Sequence, residues 1–243
     1  MCNLYSLTKG QAAIVAFTRA LRDVTGNMPT FPGIYPDYAA PIVRNAPDGT
    51  RELTSKVRWG MPSSQKALMD ATKKRAQKLE AKGKAVDFKE LLRMEPDGGV
   101  TNIRNTSSQH WKRWLGVEHR CVVPFTSFSE FNKAAGGNVW FALDETRPMA
   151  AFAGIWTNWT SVRKVREGEV TCDLFGFLTT EPNKEVAAIH PKAMPVILTK
   201  PAEIEQWMTA PVEDALKLQR SLADDSLRIV GTGEKEDPPQ AAA

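Results

Sequence analysis

A chain of 243 residues, 42% hydrophobic and 25% charged, is long enough to bury one large core and has the composition of a soluble globular protein. Its net charge of +4 permits a polyanionic partner without requiring one, and no apolar run approaches the roughly 20 residues of a membrane span or forms a leader's hydrophobic stretch. Three dispersed cysteines (Cys2, Cys121, Cys172) and only three histidines argue against a disulfide framework and a metal cluster, so a reducing, cytoplasmic setting with no metal or cofactor is expected.

In chain order, a short strand is followed by "LTKGQAAIVAFTRALRD", which reads as an amphipathic helix with Thr8 as its N-cap. The prolines of "PTFPGIYPDYAAPIV" favour an extended loop. "PIVRNAPDGTRELTSKVRWG" reads as two strands joined by a Pro-Asp-Gly turn. The texture then becomes lysine-rich and helix-forming from about 63 to 96, as expected of a surface helical insertion. From Val100 the pattern is short strands: "HRCVVPFTSFSEF", "NVWFALD", "MAAFAGIWTNW", "VTCDLFGFLTT" and "AMPVILT". "KPAEIEQWM" starts a helix with Pro201 in its first turn, "PVEDALKLQRSL" gives another, and "SLRIVGTG" is a closing strand. The pattern predicts an α+β single domain over 2–232, with a curved, barrel-like antiparallel β core flanked by short helices. Residues 233–243 have little to bury and are expected to form a disordered tail.

The chemistry-bearing residues are scattered. Cys2 directly follows Met1, so removal of the methionine would leave an α-amine and a thiol on adjacent carbons. Trp59 ends a strand in "RWGMP", and Asn102 and Arg104 lie in the polar "TNIRNTSS". Glu130 closes "RCVVPFTSFSEF", and His190 precedes the strand-like run of "AIHPKAMPVIL". "SQHWKRWLGVEHR" interleaves Trp111 and Trp114 with Lys112, Arg113 and Arg120, a mixture used by single-strand grooves and equally by amphipathic turns with buried tryptophans. Taken singly, each has an ordinary reading: a core tryptophan, a solvated carboxylate, a structural histidine, a polar turn. The mixed signs of the insertion read as a solvated helix face.

Taken in order, "MCN", "RWGMP", "NIR", "RCVVPFTSFSEF", "FAGIW", "FLTTEPN" and "IHPKAMPVIL" resemble the SOS-response-associated peptidase (SRAP) family, whose members shield abasic sites in single-stranded DNA. Two motifs depart from the usual pattern: "NIRNTS" lacks a glutamate, and "HPKAMP" is one residue longer between His190 and Met-Pro. The resemblance implies a catalytic set of Cys2, Glu130, His190 and Asn102. Cys2 would form a thiazolidine crosslink, Glu130 would exchange protons at the amine, His190 would assist at the sugar ring oxygen, and Asn102 would hydrogen-bond the adduct. It implies DNA contacts at Trp59 and Arg104, with Trp111 and Arg113 added by the aromatic-basic stretch. The expected partner is single-stranded DNA containing abasic sites, bound by a cytoplasmic monomer that joins the nucleoid when on DNA. Peptidase or lyase activity is a further expectation. A self-processing N-terminal-nucleophile peptidase and a non-covalent single-strand binder stay open as alternatives.

Overall fold

The computed structural model describes residues 2–237. The strands are β1 Leu4–Leu7, β2 Arg22–Asp23, β3 Phe31–Ile34, β4 Ala39–Asn45, β5 Arg51–Trp59, β6 Asn102–Ile103 and β7 Arg120–Phe125, then β8 Ser127–Asn132, β9 Gly137–Ala142, β10 Ala150–Val162, β11 Glu169–Thr180, β12 Met194–Pro195, β13 Ile197–Leu198 and β14 Arg228–Thr232. The helices are α1 Gln11–Thr18, α2 Gln65–Glu80, α3 Phe88–Arg93, α4 Gln109–Lys112, α5 Lys184–Ala187, α6 Pro201–Thr209 and α7 Val212–Ala215. None of them is long and apolar enough to cross a membrane.

β4 and β5 pair antiparallel across the expected turn, where Ala46 N–H donates to Thr50 O and Gly49 adopts φ +79°. β7, β10 and β11 extend the sheet by antiparallel pairing. β11 then returns to β5 in parallel, Phe175 opposite Trp59, and closes a five-stranded barrel. The predicted α+β class with a barrel-like core is the fold observed, with a parallel seam at the closure. Closure leaves no open edge among these five strands.

A second sheet, ordered β14-β9-β8-β1-β3, packs on the barrel. β7 passes into β8 across Thr126, so "RCVVPFTSFSEF" serves both sheets. Tyr5, Trp59, Phe125, Phe128, Phe152 and Phe177 fill the space between them. Phe125 stacks on Phe152 at 3.9 Å, and Tyr5 meets Trp59 edge-on at 5.1 Å. Such pairs add about 0.5–1.5 kcal/mol each beyond the burial of their area.

Three local expectations are corrected. Thr8 does not cap α1, whose N-cap is Gly10; its hydroxyl and N–H instead meet Thr126 Oγ1 at 3.2 and 3.1 Å, tying β1 to the β7–β8 corner. The proline-rich segment is not a loop throughout, because it contains β3 and the start of β4. Pro41, which has no N–H to donate, sits where the β4–β5 register shifts between Ala40 and Ile42. The disordered tail does not begin at 233. Glu234 O accepts from Trp140 Nε1 at 3.1 Å, and the buried Asp237 accepts from Arg147 Nε at 3.1 Å and Ser6 Oγ at 2.9 Å. Residues 238–243 lie outside the described residues.

The lysine-rich segment leaves and rejoins the barrel at one place. Met61 and Val100 form an isolated bridge. Asp97, 1% exposed, accepts Ser63 N–H at 3.0 Å and Gly99 N–H at 2.9 Å, while its own N–H donates to Val162 O. Gly99, at φ +77°, lies so close to Gly60 that a Cβ there would come within 2.8 Å of the Gly60 Cα. Ser64 and Asp87 cap α2 and α3.

Candidate functional site

Strand register brings the chain start to Glu130. β1 runs antiparallel to β8 with Leu4 opposite Ser129 and Tyr5 opposite Phe128. Side chains alternate along a strand, so Glu130 shares the inward face of Phe128 and is only 2% exposed. Burial raises the pKa of the Glu130 carboxyl, and the charge on His190 opposes the shift. Cys2 is 1% exposed, and its thiol donates to Leu4 O at 3.4 Å. Burial pushes the thiol pKa up, and the nearby Glu130 charge pushes it further. The sulfur is therefore held as a thiol, next to a carboxyl that keeps its proton to a higher pH than usual.

Asn102 arrives from the opposite side. β6 lies parallel to β11, and the buried Asn102 Nδ2 donates to Cys2 O at 2.7 Å and to Thr101 Oγ1 at 2.8 Å. Thr101 Oγ1 donates in turn to Asn3 Oδ1 at 3.0 Å. Asn102 Oδ1 is buried and accepts no hydrogen bond among the described residues, so one acceptor remains open beside Cys2.

His190 follows α5, its N–H bonded to Val186 O at 2.7 Å. Its Nδ1 lies 3.1 Å from Ala193 O. A carbonyl can only accept, so Nδ1 carries the proton in the neutral ring and Nε2 is the basic nitrogen. The longer His-to-Met-Pro spacing thus folds back onto the ring, and His190 still reaches the neighbourhood of Glu130.

The structure brings Cys2, Asn102, Glu130 and His190 together. Trp59 is fully buried, stacked on Phe177 at 5.2 Å with Nε1 donating to Thr101 O at 3.2 Å. The base-packing role expected of it is corrected: it is the floor beneath the site. Trp111 is corrected in the same way, because it is 9% exposed and packs with His110 and Trp114 in the core. Arg113 is exposed, with Nε donating to His110 O at 3.0 Å and its guanidinium 4.6 Å above Trp114. Arg104, two residues beyond Asn102, is exposed and ion-paired with Glu181.

Sequence reasoning missed Tyr5. Its hydroxyl is buried with no hydrogen-bond partner among the described residues, and burial, then the Cys2 and Cys121 charges, raise its pKa. The available signal was its place three residues after Cys2 on the strand face it shares with Leu7. An open cavity of about 620 Å³, lined by Asn3, Leu4, Tyr35, Ser129 and Lys235 among others, borders the β1–β8 pair.

Comparison with known proteins agrees with this architecture. No curated protein matches the chain. A protein from Bordetella bronchiseptica aligns with TM-score 0.62 at 20% identity over 96% of this chain and 98% of its own. One from Bacteroides thetaiotaomicron aligns with TM-score 0.62 at 17% identity over 93% and 90%, and a phage-related protein from Bordetella bronchiseptica with 0.61 at 16% over 93% and 92%. These likenesses are of fold. The family model described as SOS response associated peptidase (SRAP) matches residues 97–231, starting at the Asp97 that closes the insertion. That match covers more than half of the chain and contains Asn102, Glu130 and His190, so the chain belongs to the SOS response associated peptidase family.

Proposed function

We propose that the protein is a DNA-repair factor that captures abasic sites in single-stranded DNA by a covalent bond to Cys2 once Met1 has been removed. The observation that carries this reading is the convergence of a buried Glu130, His190 and Asn102 on the second residue of the chain. A free α-amine has a pKa of about 7.7–8.0 against about 10.4 for lysine, so a useful fraction of it is neutral near pH 7.

The neutral amine attacks C1′ of the ring-opened sugar, and the carbonyl electrons move to oxygen, which takes a proton from Glu130. The Glu130 carboxylate then takes a proton from the amine nitrogen and passes it to the new hydroxyl, which leaves as water as the nitrogen lone pair forms the iminium. The Cys2 sulfur then bonds to C1′, its proton passes to the carboxylate, and the iminium electrons return to nitrogen. The product is a five-membered ring of N, Cα, Cβ, Sγ and C1′, with one water released overall. The ring closure is intramolecular and favoured by effective molarity. His190 Nε2, when protonated, gives its proton to the sugar ring oxygen as the C1′ hydroxyl loses its own to solvent, which opens the ring to the aldehyde. Asn102 Oδ1 accepts from the adduct nitrogen. Arg104 holds a flanking phosphate by exchanging Glu181 for it.

Purified protein mixed with an oligonucleotide carrying one abasic site should give an adduct that survives a denaturing gel and disappears in Cys2→Ala. An adduct of undiminished yield in that variant would assign the chemistry to another nucleophile and overturn the reading. The family's peptidase description and the Glu130–Cys2 proximity also favour self-removal of Met1, which Glu130→Gln would block, leaving intact Met1 in the mass spectrum. A purely non-covalent binder is disfavoured, because Trp59 and Trp111, the aromatic platforms it needs, lie inside the protein.

A further inference from the structure

Residues 64–96 carry nine lysines and arginines against five carboxylates, so the whole net charge of +4 resides there and the rest of the chain balances. Within the segment the structure sorts the signs. Glu95 is taken by Arg75, and Glu90 by Arg93, which also reaches Glu169 at the start of β11. Asp87 is spent capping α3, and Asp70 pairs with Lys66. Lys73, Lys74, Lys78, Lys82, Lys84 and Lys89 are exposed and have no carboxylate partner among the described residues. On α2, Thr72 and Ala76 are buried, while Lys66, Lys73, Lys74 and Lys78 fall within the other half of the circumference at 3.6 residues per turn. The mixed charges that read as a solvated face thus resolve into a lysine-rich face, on which Asp70 is taken by Lys66 and the exposed Glu80 at the end of α2 is outnumbered by the lysines without a carboxylate partner.

Its position gives that face a use. The segment rejoins the barrel at Val100, two residues before Asn102, whose amide holds Cys2 O. His110 Nε2 bonds Pro62 O at 2.9 Å on the outgoing side. Asp97 pins both ends, so the helices stand as a fixed arm at the site rather than a trailing loop.

We infer that the lysine face of α2 and the Lys82–Lys84 turn after it form a track for the phosphate backbone of the DNA strand flanking the captured sugar, an extension of the site that rests on the function proposed above. Lysine ammonium groups suit such a track because they bind phosphate as point charges, without reading the bases.

The test is the triple variant Lys73→Gln/Lys74→Gln/Lys78→Gln, with Lys82→Gln/Lys84→Gln as a second variant confined to the turn. Affinity for an intact single-stranded oligonucleotide, with no abasic site, is measured by fluorescence anisotropy across a salt series. At about 0.7 units of slope per phosphate contact on a single strand, the triple variant should lose about 2 units, and its deficit against wild type should shrink roughly twentyfold between about 50 and 200 mM salt. The turn variant should lose about 1.4 units. Crosslink yield at saturating abasic DNA should be unchanged in both. Unaltered slopes in both variants, or weaker binding with an unaltered slope, would overturn the track. Failure of the wild type to crosslink would sink the function above and leave the slope comparison readable.

Discussion

Glu130 stands inward within β8, on the face that carries Phe128, and is 2% exposed. Its raised pKa lets it hold a proton closer to neutral pH than an exposed glutamate, as a general acid in carbinolamine dehydration must. Glu130→Gln should slow adduct formation about 100-fold and flatten the pH profile, whose wild-type rate falls as the carboxyl ionises. Stability moves in the same direction. Because the folded-state pKa lies above the unfolded one, the stability Glu130 contributes is present in acid and lost as pH rises through the folded value. Thermal melts from pH 4 to 8 should therefore show Glu130→Gln gaining on wild type as pH rises. A melting difference that stays constant with pH would mean the carboxyl is not buried as described.

The insertion is the element that stability and function share. Its helices present only Thr72 and Ala76 as buried positions, so its placement depends on its base rather than on a core of its own. Asp97 supplies that base through two backbone N–H groups, and Gly60 and Gly99 supply the close approach. Asp97→Ala would strand both donors and should cost about 2–3 kcal/mol in denaturant unfolding. Limited proteolysis should cut first between α2 and α3 in the variant. If the variant resists protease as wild type does, Asp97 is not what holds the arm. A lysine-rich stretch of helix formers was legible in the sequence. That Glu95 would be taken by Arg75 was not, because that pairing, 20 residues apart, is set by helix packing rather than by spacing.

At the scale of the molecule, charge also ties barrel strands to one another. Asp37 joins Arg58, Arg163 and Lys164, linking the approach to β4 with β5 and the end of β10. Burial alone would raise its pKa, but hydrogen bonds from Arg58, Lys164 and Arg163 outweigh this and hold the carboxyl at about 2. Its contribution is present above the ordinary carboxylate range and lost as pH falls through about 4 towards 2. Allowing for solvent screening, this is about 1–2 kcal/mol. Asp37→Asn should be less stable than wild type at pH 7 by that amount and nearly equal to it at pH 2. A gap that persists in acid would place the loss in packing rather than charge.

The sequence by itself determined the strands and helices that local pattern encodes: the Pro-Asp-Gly hairpin of β4 and β5, the insertion, α6 with Pro201 at its start, and the family resemblance carried by "MCN", "NIR" and "SFSEF". Only the tertiary structure decided which functional candidates are exposed. Trp59 and Trp111 resemble stacking platforms in sequence and are core residues in space, whereas Glu130 resembles a surface charge and is buried. The difference is physical. Period and turn chemistry act over a few residues, but burial is fixed by contacts between β1, β6, β8 and the loop after α5, which lie as much as 190 residues apart in the chain.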